Sequence, residues 1–168
     1  QINNLILSSA SGENLPTDDL RCSFDLAGNA ITASVAWQKN GLPWMQAYFP
    51  LEGGSQIALN DFSGHGAVAT LYGTPVYLPS GGYNEGGCFE FNGQNQLNTT
   101  VVFPTLSSYT KTAWIYRTGN SYNNILSGAQ YSEPGGHSFR ANNDGRLMAG
   151  HPSGNWTIVQ DSQPLEND

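Results

Sequence analysis

Apolar and polar residues alternate along short segments of this chain. In LRCSFDL (20–26), Leu20, Cys22, Phe24 and Leu26 fall on one face, and the polar residues between them fall on the other. Alternation with a period of two is the pattern of a half-buried β-strand. No longer segment repeats apolar positions at the helical spacing, and 20 Gly and 9 Pro interrupt the chain every few residues. The pattern predicts an all-β protein.

The segment ITASVAWQKNG (31–41) repeats the alternation and then ends in a turn. Its alternate apolar residues are predicted to face inward, and Asn40-Gly41 is typical of a tight hairpin turn. The inward residues are Ile31, Ala33, Val35 and Trp37. Further strands are predicted at residues 2–8, 67–72, 74–78, 87–92, 96–103, 110–117, 123–130, 136–141, 146–150 and 155–161.

Two features of the second half of the chain carry more specific predictions. Asp144-Gly145 lies between two alternating segments, which predicts a type I′ hairpin turn. The segment KTAWIYRTG (111–119) has bulky residues on both faces. That pattern predicts a central strand of a sandwich, covered on both sides.

Composition and charge exclude some partners. The chain has 6 Lys and Arg against 13 Asp and Glu, a net charge of −7, and its basic residues are scattered singly. Binding to a phosphate backbone needs clustered cations, so we expect no nucleic-acid partner. No apolar run approaches the ~18 residues of a membrane span, so we expect no membrane insertion. Charged residues make up 11% of the chain, against about 25% on average, and the hydroxyl- and amide-rich remainder indicates an extracellular or cell-surface location.

Cys22 and Cys88 are the two cysteines, and they lie too far apart for a C-x-x-C redox or zinc motif. Both a disulfide, which suits an extracellular protein, and two buried free thiols are compatible with the sequence. Cys22 followed by Trp37 is also the pattern of two strands in an immunoglobulin-like domain. Cys88, in GGCFEFNG, lacks the setting of that domain's second cysteine.

After residue 45, four segments follow one another in a recognisable order: AYFPLEGG, LNDFSGHGAVATLYG, SGGYNEGGCFEFNGQNQL and YTKTAWIYRTG. In this series the chain resembles the laminin-G-like, concanavalin-A-like jelly-roll family. Residues 1–44 resemble the first part of an immunoglobulin-like domain, which precedes such modules in prokaryotic, notably archaeal, surface proteins. The resemblance implies an antiparallel β-sandwich with an immunoglobulin-like portion at 1–44 and a jelly roll at 45–168.

The chain departs from the family pattern at three places. His65 stands where the family usually has Asn, and both residues tolerate the left-handed backbone that we expect in this turn. Cys88 stands where a small residue is usual. The family pattern continues beyond Asp168 with further closing strands. We therefore expect a longer protein, a cleaved fragment, or strands supplied by another chain through β-augmentation.

The segment NDFSGHG (60–66) is a candidate calcium site. Calcium takes six or more hard oxygen ligands, and Asn60, Asp61 and the backbone carbonyl of Gly64 offer a few of them. The alternative is an ordinary turn, in which the Asp61 carboxylate accepts hydrogen bonds from nearby backbone N–H groups. The sequence favours the turn, with calcium kept as the one cofactor to consider.

Exposed aromatic residues beside amides and hydroxyls are candidate carbohydrate contacts. Tyr122, Tyr131 and Trp156 lie in or near segments rich in Asn, Ser and Gly, although aromatic residues also pack over the rim of a sandwich. Asn98 and Asn155 each begin an N-x-[ST] sequon and are candidate glycosylation sites.

Catalytic patterns are not found in the sequence. Glycoside hydrolysis needs two carboxylates about 5–10 Å apart, whereas Glu90 stands alone in CFEFNG, and the three histidines lack a nucleophile motif. We predict no catalytic residue and expect a non-enzymatic adhesion or structural module of a cell-surface protein, appendage or filament. Its partners would be other protein chains, by self-assembly or strand complementation. The alternatives are a lectin module that binds glycans and a degraded glycoside hydrolase.

Overall fold

The computed structural model describes residues 1–29, 33, 35–101, 109–119, 121–128, 136–153 and 155–165, with the backbone alone at 152, 153, 155 and 156. Its regular elements are strands, apart from two single-turn 3-10 helices, Ile57–Leu59 and Tyr83–Glu85. The all-β prediction is confirmed. The chain divides into two compact units, Gln1–Val101 and Val102–Asp168. The predicted domain boundary after residue 44 stays a prediction. No helix among the described residues is long and apolar enough to cross a membrane.

Unit 1 begins with an antiparallel hairpin of β1 (Ile2–Ser9) and β2 (Leu20–Leu26). β2 has the bounds of the alternating segment LRCSFDL. β1 is irregular between Asn3 and Ile6, where the register shifts by one residue. Cys22 and Phe24 are half-buried, whereas Leu20 and Leu26 are 59% and 40% exposed. Only the middle of the predicted inward face is therefore covered.

The second hairpin pairs β3 (Gln38–Lys39) with β4 (Leu42–Pro43). Asn40 and Gly41 connect them with φ angles of 56° and 77°. Positive φ at both central residues defines a type I′ turn, so the hairpin predicted here is confirmed. Ala33, Val35 and Trp37, which precede it, are half-buried but lie outside any strand, and Ile31 lies outside the described residues.

Two further antiparallel strand pairs complete the described sheets of unit 1. β5 (Ala69–Tyr72) pairs with β8 (Gln96–Thr99), and β6 (Val76–Leu78) pairs with β7 (Cys88–Glu90). The buried ring of Phe89 packs edge-on against Tyr77, with ring centroids 5.1 Å apart. All the described sheets of this unit are two-stranded, so a sandwich remains the finer prediction.

Unit 2 contains a four-stranded antiparallel sheet. Its strands are β9 (Asn123–Asn124), β10 (Ser138–Ala141), β11 (Arg146–Ser153) and β12 (Asn155–Pro164), in the order β12-β11-β10-β9. Ala141 and Met148 are its buried apolar side chains among the described residues. This sheet places Asn124 of β9 opposite Arg140 of β10.

The turn between β10 and β11 differs from the predicted type I′. The Gly145 N–H donates to the Asn142 carbonyl at 2.9 Å, and Gly145 has a φ of 81°. Asp144 is not among the residues with positive φ, and type I′ needs positive φ at both central residues. The connection is a three-residue loop in which a turn is followed by a left-handed glycine, the bulged arrangement that three-residue hairpins adopt.

The predicted central strand at 110–117 is wrong. Residues 110–117 form no strand, and Trp114 and Tyr116 are 77% and 69% exposed. Bulky residues on both faces show that a segment is suited to burial on both sides. They do not specify a neighbouring strand, and no described strand pairs with this segment.

Arg117 is a buried cation among the described residues of unit 2. Its side chain is 8% exposed, and Nη2 donates to the Ser121 carbonyl at 3.4 Å. Nε and Nη1 have no hydrogen-bond partner among the described residues. A buried charge without full compensation destabilises a fold, because the guanidinium loses hydration that the protein does not replace.

We therefore expect Arg117→Met to stabilise unit 2 by about 1–3 kcal/mol, because the apolar chain fills similar space without unsatisfied donors. Thermal unfolding of the variant would show the increase. The matched control is Arg146→Met, since Arg146 is 44% exposed and lies 3.6 Å from Asp144; that change should stay within about 0.5 kcal/mol. A loss of stability in Arg117→Met would show that the guanidinium is satisfied after all.

Candidate functional site

The segment after the first 3-10 helix is organised around the carboxylate of Asp61. Oδ1 accepts hydrogen bonds from the backbone N–H groups of Tyr48 and Ser63, both at 2.9 Å. Oδ2 accepts from the Ser63 hydroxyl at 2.7 Å and from the Ala67 N–H at 2.9 Å. One side chain therefore joins three stretches of backbone, and the bond from Tyr48 spans 13 residues.

The local sequence explains why the chain folds back around this carboxylate. Gly64 and Gly66 have φ angles of 91° and 71°, a region that glycine enters without steric cost. Ser63 is buried, and its hydroxyl accepts from the His65 N–H at 3.2 Å. The left-handed positions therefore fall on the two glycines. His65 is exposed and is not among the residues with positive φ, so the expectation of left-handed backbone there is wrong.

The pKa of Asp61 lies below its ordinary value of 3.8. Burial acts to raise this pKa, but the hydrogen bonds from Tyr48, Ser63 and Ala67 favour the charged form and together outweigh burial. The carboxylate is therefore ionised at neutral pH. It acts as an anchor for backbone donors.

Within the turn, the Asp61 carboxylate already uses the acceptor positions that a calcium ion would need from it. An ionised carboxylate offers about four lone-pair positions, and four donors already occupy those of Asp61. Asn60 is exposed and pairs with Val68 through a single β-bridge, and Gly64 is also exposed. No group of three or more His, Cys, Asp or Glu residues in the described part of the chain is placed to hold a metal. The geometry favours the turn interpretation, and calcium binding stays an untested prediction.

A second carboxylate, that of Glu52, plays a similar part in a place the sequence did not indicate. Its Oε2 accepts from the Gly87 N–H at 2.9 Å, across 35 residues. The Tyr77 hydroxyl lies in the same region, donating to the Leu51 carbonyl at 3.3 Å and accepting from the Gly54 N–H at 3.1 Å. The paired glycines of FPLEGG and NEGGC were the only available signal, and they do not specify which residues meet.

The candidate carbohydrate residues are described only in part. Tyr122 is 46% exposed, its hydroxyl accepts from Arg140 Nη1 at 2.6 Å, and the guanidinium carbon lies 5.0 Å from the ring centroid. Arg140 pairs with Asn124 across β9 and β10. Tyr131 lies outside the described residues, and for Trp156 only the backbone is described. The structure therefore does not test whether the three aromatic residues form one surface.

Among the described residues, the hydrogen bonds to the Asp61 carboxylate come from Tyr48, Ser63 and Ala67 and from none of the remaining predicted positions. Asn98 is exposed on β8, where its Oδ1 accepts from Gln96 Nε2 at 2.9 Å. Asn155 begins β12, and its side chain is not described. Cys22 and Cys88 are both half-buried free thiols, and their pairing stays a prediction. Burial, then the charges of Glu90 and Glu52, raise the pKa of the Cys88 thiol.

Unit 2 also holds a cluster that the sequence did not reveal. The Lys111 ammonium contacts Nδ1 of the buried His137 and donates to the Leu126 carbonyl at 3.3 Å. Burial lowers the pKa of Lys111 to about 8. Burial, followed by the charges of Lys111 and His151, lowers the pKa of His137 to about 4. His137 is thus neutral at pH 7, and its Nδ1 accepts a hydrogen bond from the Lys111 ammonium.

Comparisons with known proteins do not add a family to this geometry. No family model, curated protein or solved structure matches the chain. The laminin-G-like and immunoglobulin-like resemblance therefore stays a prediction.

Proposed function

We propose that this protein is an extracellular, non-enzymatic adhesion or structural module that works by assembling with other protein chains. Part of a cell-surface protein, an appendage or a filament would fit this role. The laminin-G-like resemblance from residue 45 supports the extracellular setting. The roles of Asp61 and Glu52 support a structural interpretation, because both carboxylates hold backbone N–H groups.

The observation that carries this proposal is the β1–β2 hairpin. Its apolar side chains are largely exposed: Ile2 48%, Leu5 69%, Ile6 56%, Leu7 64%, Leu20 59% and Leu26 40%. A two-stranded hairpin is marginally stable alone, and three or more strands with a covered apolar face are needed for independent stability. Clustered exposed apolar residues commonly mark interaction surfaces. A partner that adds strands to this hairpin would supply what it lacks.

The test is the state of association of the chain in solution. We expect light scattering after size exclusion to give a mass above that of one 18.1 kDa chain, and electron microscopy to show whether the association continues into filaments. A stable, fully folded monomer at every concentration would contradict the assembly role. Mixing with a partner protein is not required for this test.

Carbohydrate binding is the second candidate, and Tyr122 with Arg140 favours it. The hydrogen bond and the stacked guanidinium hold the ring while it stays half exposed. A fixed, exposed aromatic ring beside amide groups is suited to stacking against a sugar. Degraded glycoside hydrolase activity is a weaker alternative. Glycoside hydrolysis needs a second carboxylate, whereas Glu90 is exposed on β7 and the residue opposite it across the hairpin is Val76.

If unit 2 binds glycans through this ring, Tyr122→Ala should weaken binding on a glycan array by about tenfold or more. Tyr122→Phe should retain most binding, because the ring remains while only the bond to Arg140 is lost. Tyr72→Ala is the matched control, since Tyr72 is 54% exposed on β5. Equal binding by all three variants would remove Tyr122 from any glycan site.

A further inference from the structure

The outer edge of β2 lacks a partner strand within the described part of the chain. β2 pairs with β1 on one side, and no other described strand pairs with it. The hairpin is closed at one end by Gln1 and Ala27, which exchange both backbone hydrogen bonds, at 3.1 and 2.9 Å. At the other end the Ala10 N–H donates to the Asp19 carbonyl at 2.8 Å.

These end bonds determine which backbone groups face outward. In an antiparallel ladder, bonded and non-bonded residues alternate along each strand. The bonds at Asp19 and Ala27 assign the odd-numbered residues of β2 to the ladder with β1. The N–H and C=O groups of Leu20, Cys22, Phe24 and Leu26 then point to the outer edge. An edge of this kind is a ready template for a further strand.

The sequence of β2 is self-complementary about Ser23. Reading outward in both directions, Cys22 stands against Phe24, Arg21 against Asp25, and Leu20 against Leu26. If two such strands pair antiparallel about Ser23, each Arg21 faces the opposite charge of Asp25. A twofold interface needs this kind of self-complementary surface, because residue i meets j and j meets i.

We propose that β2 pairs antiparallel with β2 of a second copy of this chain, with Ser23 on the twofold axis and two reciprocal Arg21–Asp25 contacts. The pairing joins two hairpins into a four-stranded sheet, β1-β2-β2-β1. This inference deepens the proposed assembly function and rests on it. It specifies the partner, the strand and the register.

The backbone geometry agrees with this register. Residues 20, 22, 24 and 26 have the outward-facing groups, and the pairing matches 22 with 24 and 20 with 26, so outward groups meet outward groups. Arg21 and Asp25 then form non-hydrogen-bonded pairs, in which the Cα atoms lie about 4.5 Å apart and side chains approach closely. The half-buried Cys22 and Phe24 continue one apolar face across both copies.

The monomer does not use these two charges against each other. Arg21 lies opposite Ser8, and Asp25 lies opposite Asn3. The Asp25 carboxylate accepts from Asn4 Nδ2 at 2.6 Å, which leaves further acceptor positions on its two oxygens. Salt alone is an ambiguous test of the pairing. Each copy carries a net charge of −7, so screening reduces general repulsion as well as the specific attraction.

Charge reversal separates these effects. Arg21→Asp gives two Asp–Asp contacts in a homodimer, and Asp25→Arg gives two Arg–Arg contacts. Each should raise the dimer dissociation constant by about tenfold or more, measured by analytical ultracentrifugation of the full chain. An equal mixture of the two variants forms Asp–Arg contacts at both positions. We expect this mixture, and the Arg21→Asp/Asp25→Arg double variant, to associate within about threefold of the natural chain.

The matched controls change the net charge equally at exposed positions outside β2. Lys39→Asp matches Arg21→Asp, and Glu13→Arg matches Asp25→Arg. Both should associate like the natural chain, and circular dichroism should show that all variants are folded. If the natural chain associates but single reversals have no effect, or if mixing does not restore association, the β2 pairing is wrong and the assembly function stands. If the natural chain is monomeric throughout, both are wrong.

A crosslink tests the register directly. Ser23 meets its own copy on the axis, in a non-bonded pair whose Cα separation of about 4.5 Å is within disulfide range. In a Cys22→Ser/Cys88→Ser background, Ser23→Cys should give a disulfide-linked dimer on mild oxidation, seen by non-reducing gel and mass spectrometry. Ser8→Cys, on β1, should give markedly less. Equal crosslinking at both positions would overturn the register.

Discussion

Asp61→Ala should destabilise unit 1 by about 3 kcal/mol. The substitution removes the acceptor for three backbone N–H groups and one hydroxyl. These donors are partly buried, so water replaces the lost bonds only in part. Hydrogen exchange read by mass spectrometry on peptides from residues 45–72 would report this unit alone. We expect exchange there to accelerate by about a hundredfold.

Asp61→Asn sharpens the test, because the amide keeps the shape but offers one donor in place of an acceptor. Two of the four protein donors would then face an NH₂ group, so an intermediate loss is expected. Asp19→Asn is the control, since Asp19 is exposed and no hydrogen bond of its carboxylate supports this turn. Unchanged exchange in Asp61→Ala would show that the two glycines alone form the turn.

The pH dependence follows from the lowered pKa of Asp61. A carboxylate with a folded pKa below its unfolded value contributes its full stability above the unfolded pKa, near 3.8. That contribution is lost as the pH falls through the lower, folded pKa. Acid unfolding of unit 1 should therefore be less steep in Asp61→Asn than in the natural chain.

Asp18 adds a similar acid dependence in the β1–β2 loop, because hydrogen bonds from the Ser11 hydroxyl and the Leu15 N–H lower its pKa.

Local patterns predicted local structure well. Strict alternation placed β2 at Leu20–Leu26, and Asn40-Gly41 produced the expected turn because both residues accept positive φ. The Asp144-Gly145 turn was predicted with the wrong type, since a dipeptide does not determine whether the loop has two or three residues. The segment 110–117 shows the larger limit. Whether such a segment pairs and becomes buried depends on strands distant in sequence, which residue types cannot identify.

The candidate site shows the same division between local and distant contacts. Asp61 bonding to Ser63 is an expected turn contact, two residues away. The bonds from Tyr48 to Asp61 and from Gly87 to Glu52 cross 13 and 35 residues, and no spacing rule predicts them. Lys111 with His137 and the buried Arg117 are likewise products of tertiary contact. The sequence could therefore identify the turn. It could not show that Asp61 and Glu52 both accept hydrogen bonds from distant backbone N–H groups.

Gly87→Ala should be the most disruptive glycine substitution in unit 1. A Cβ at this position would lie 2.5 Å from the Leu51 carbonyl oxygen and would also overlap the Tyr77 hydroxyl. The hydroxyl could turn aside, but the backbone oxygen can move only with the 51–54 segment. That movement would disturb the Glu52 bond to the Gly87 N–H and the Tyr77 bond to the Gly54 N–H.

We expect a loss of about 2–4 kcal/mol in the free energy of unfolding of unit 1, the sum of overpacking and weakened hydrogen bonds. Urea unfolding, with hydrogen exchange on peptides from residues 48–56 and 83–92, would measure it. Gly119→Ala is the control, because a Cβ there meets no atom of the described residues within 4 Å and its φ is not in the positive range; its effect should stay within about 0.5 kcal/mol. Glu52→Gln in the natural background separates the two causes, since it weakens the bond to Gly87 without adding a Cβ. If Gly87→Ala were no worse than Glu52→Gln, the close approach of Leu51 would not limit the fold, and the carboxylate contact alone would account for the need for glycine.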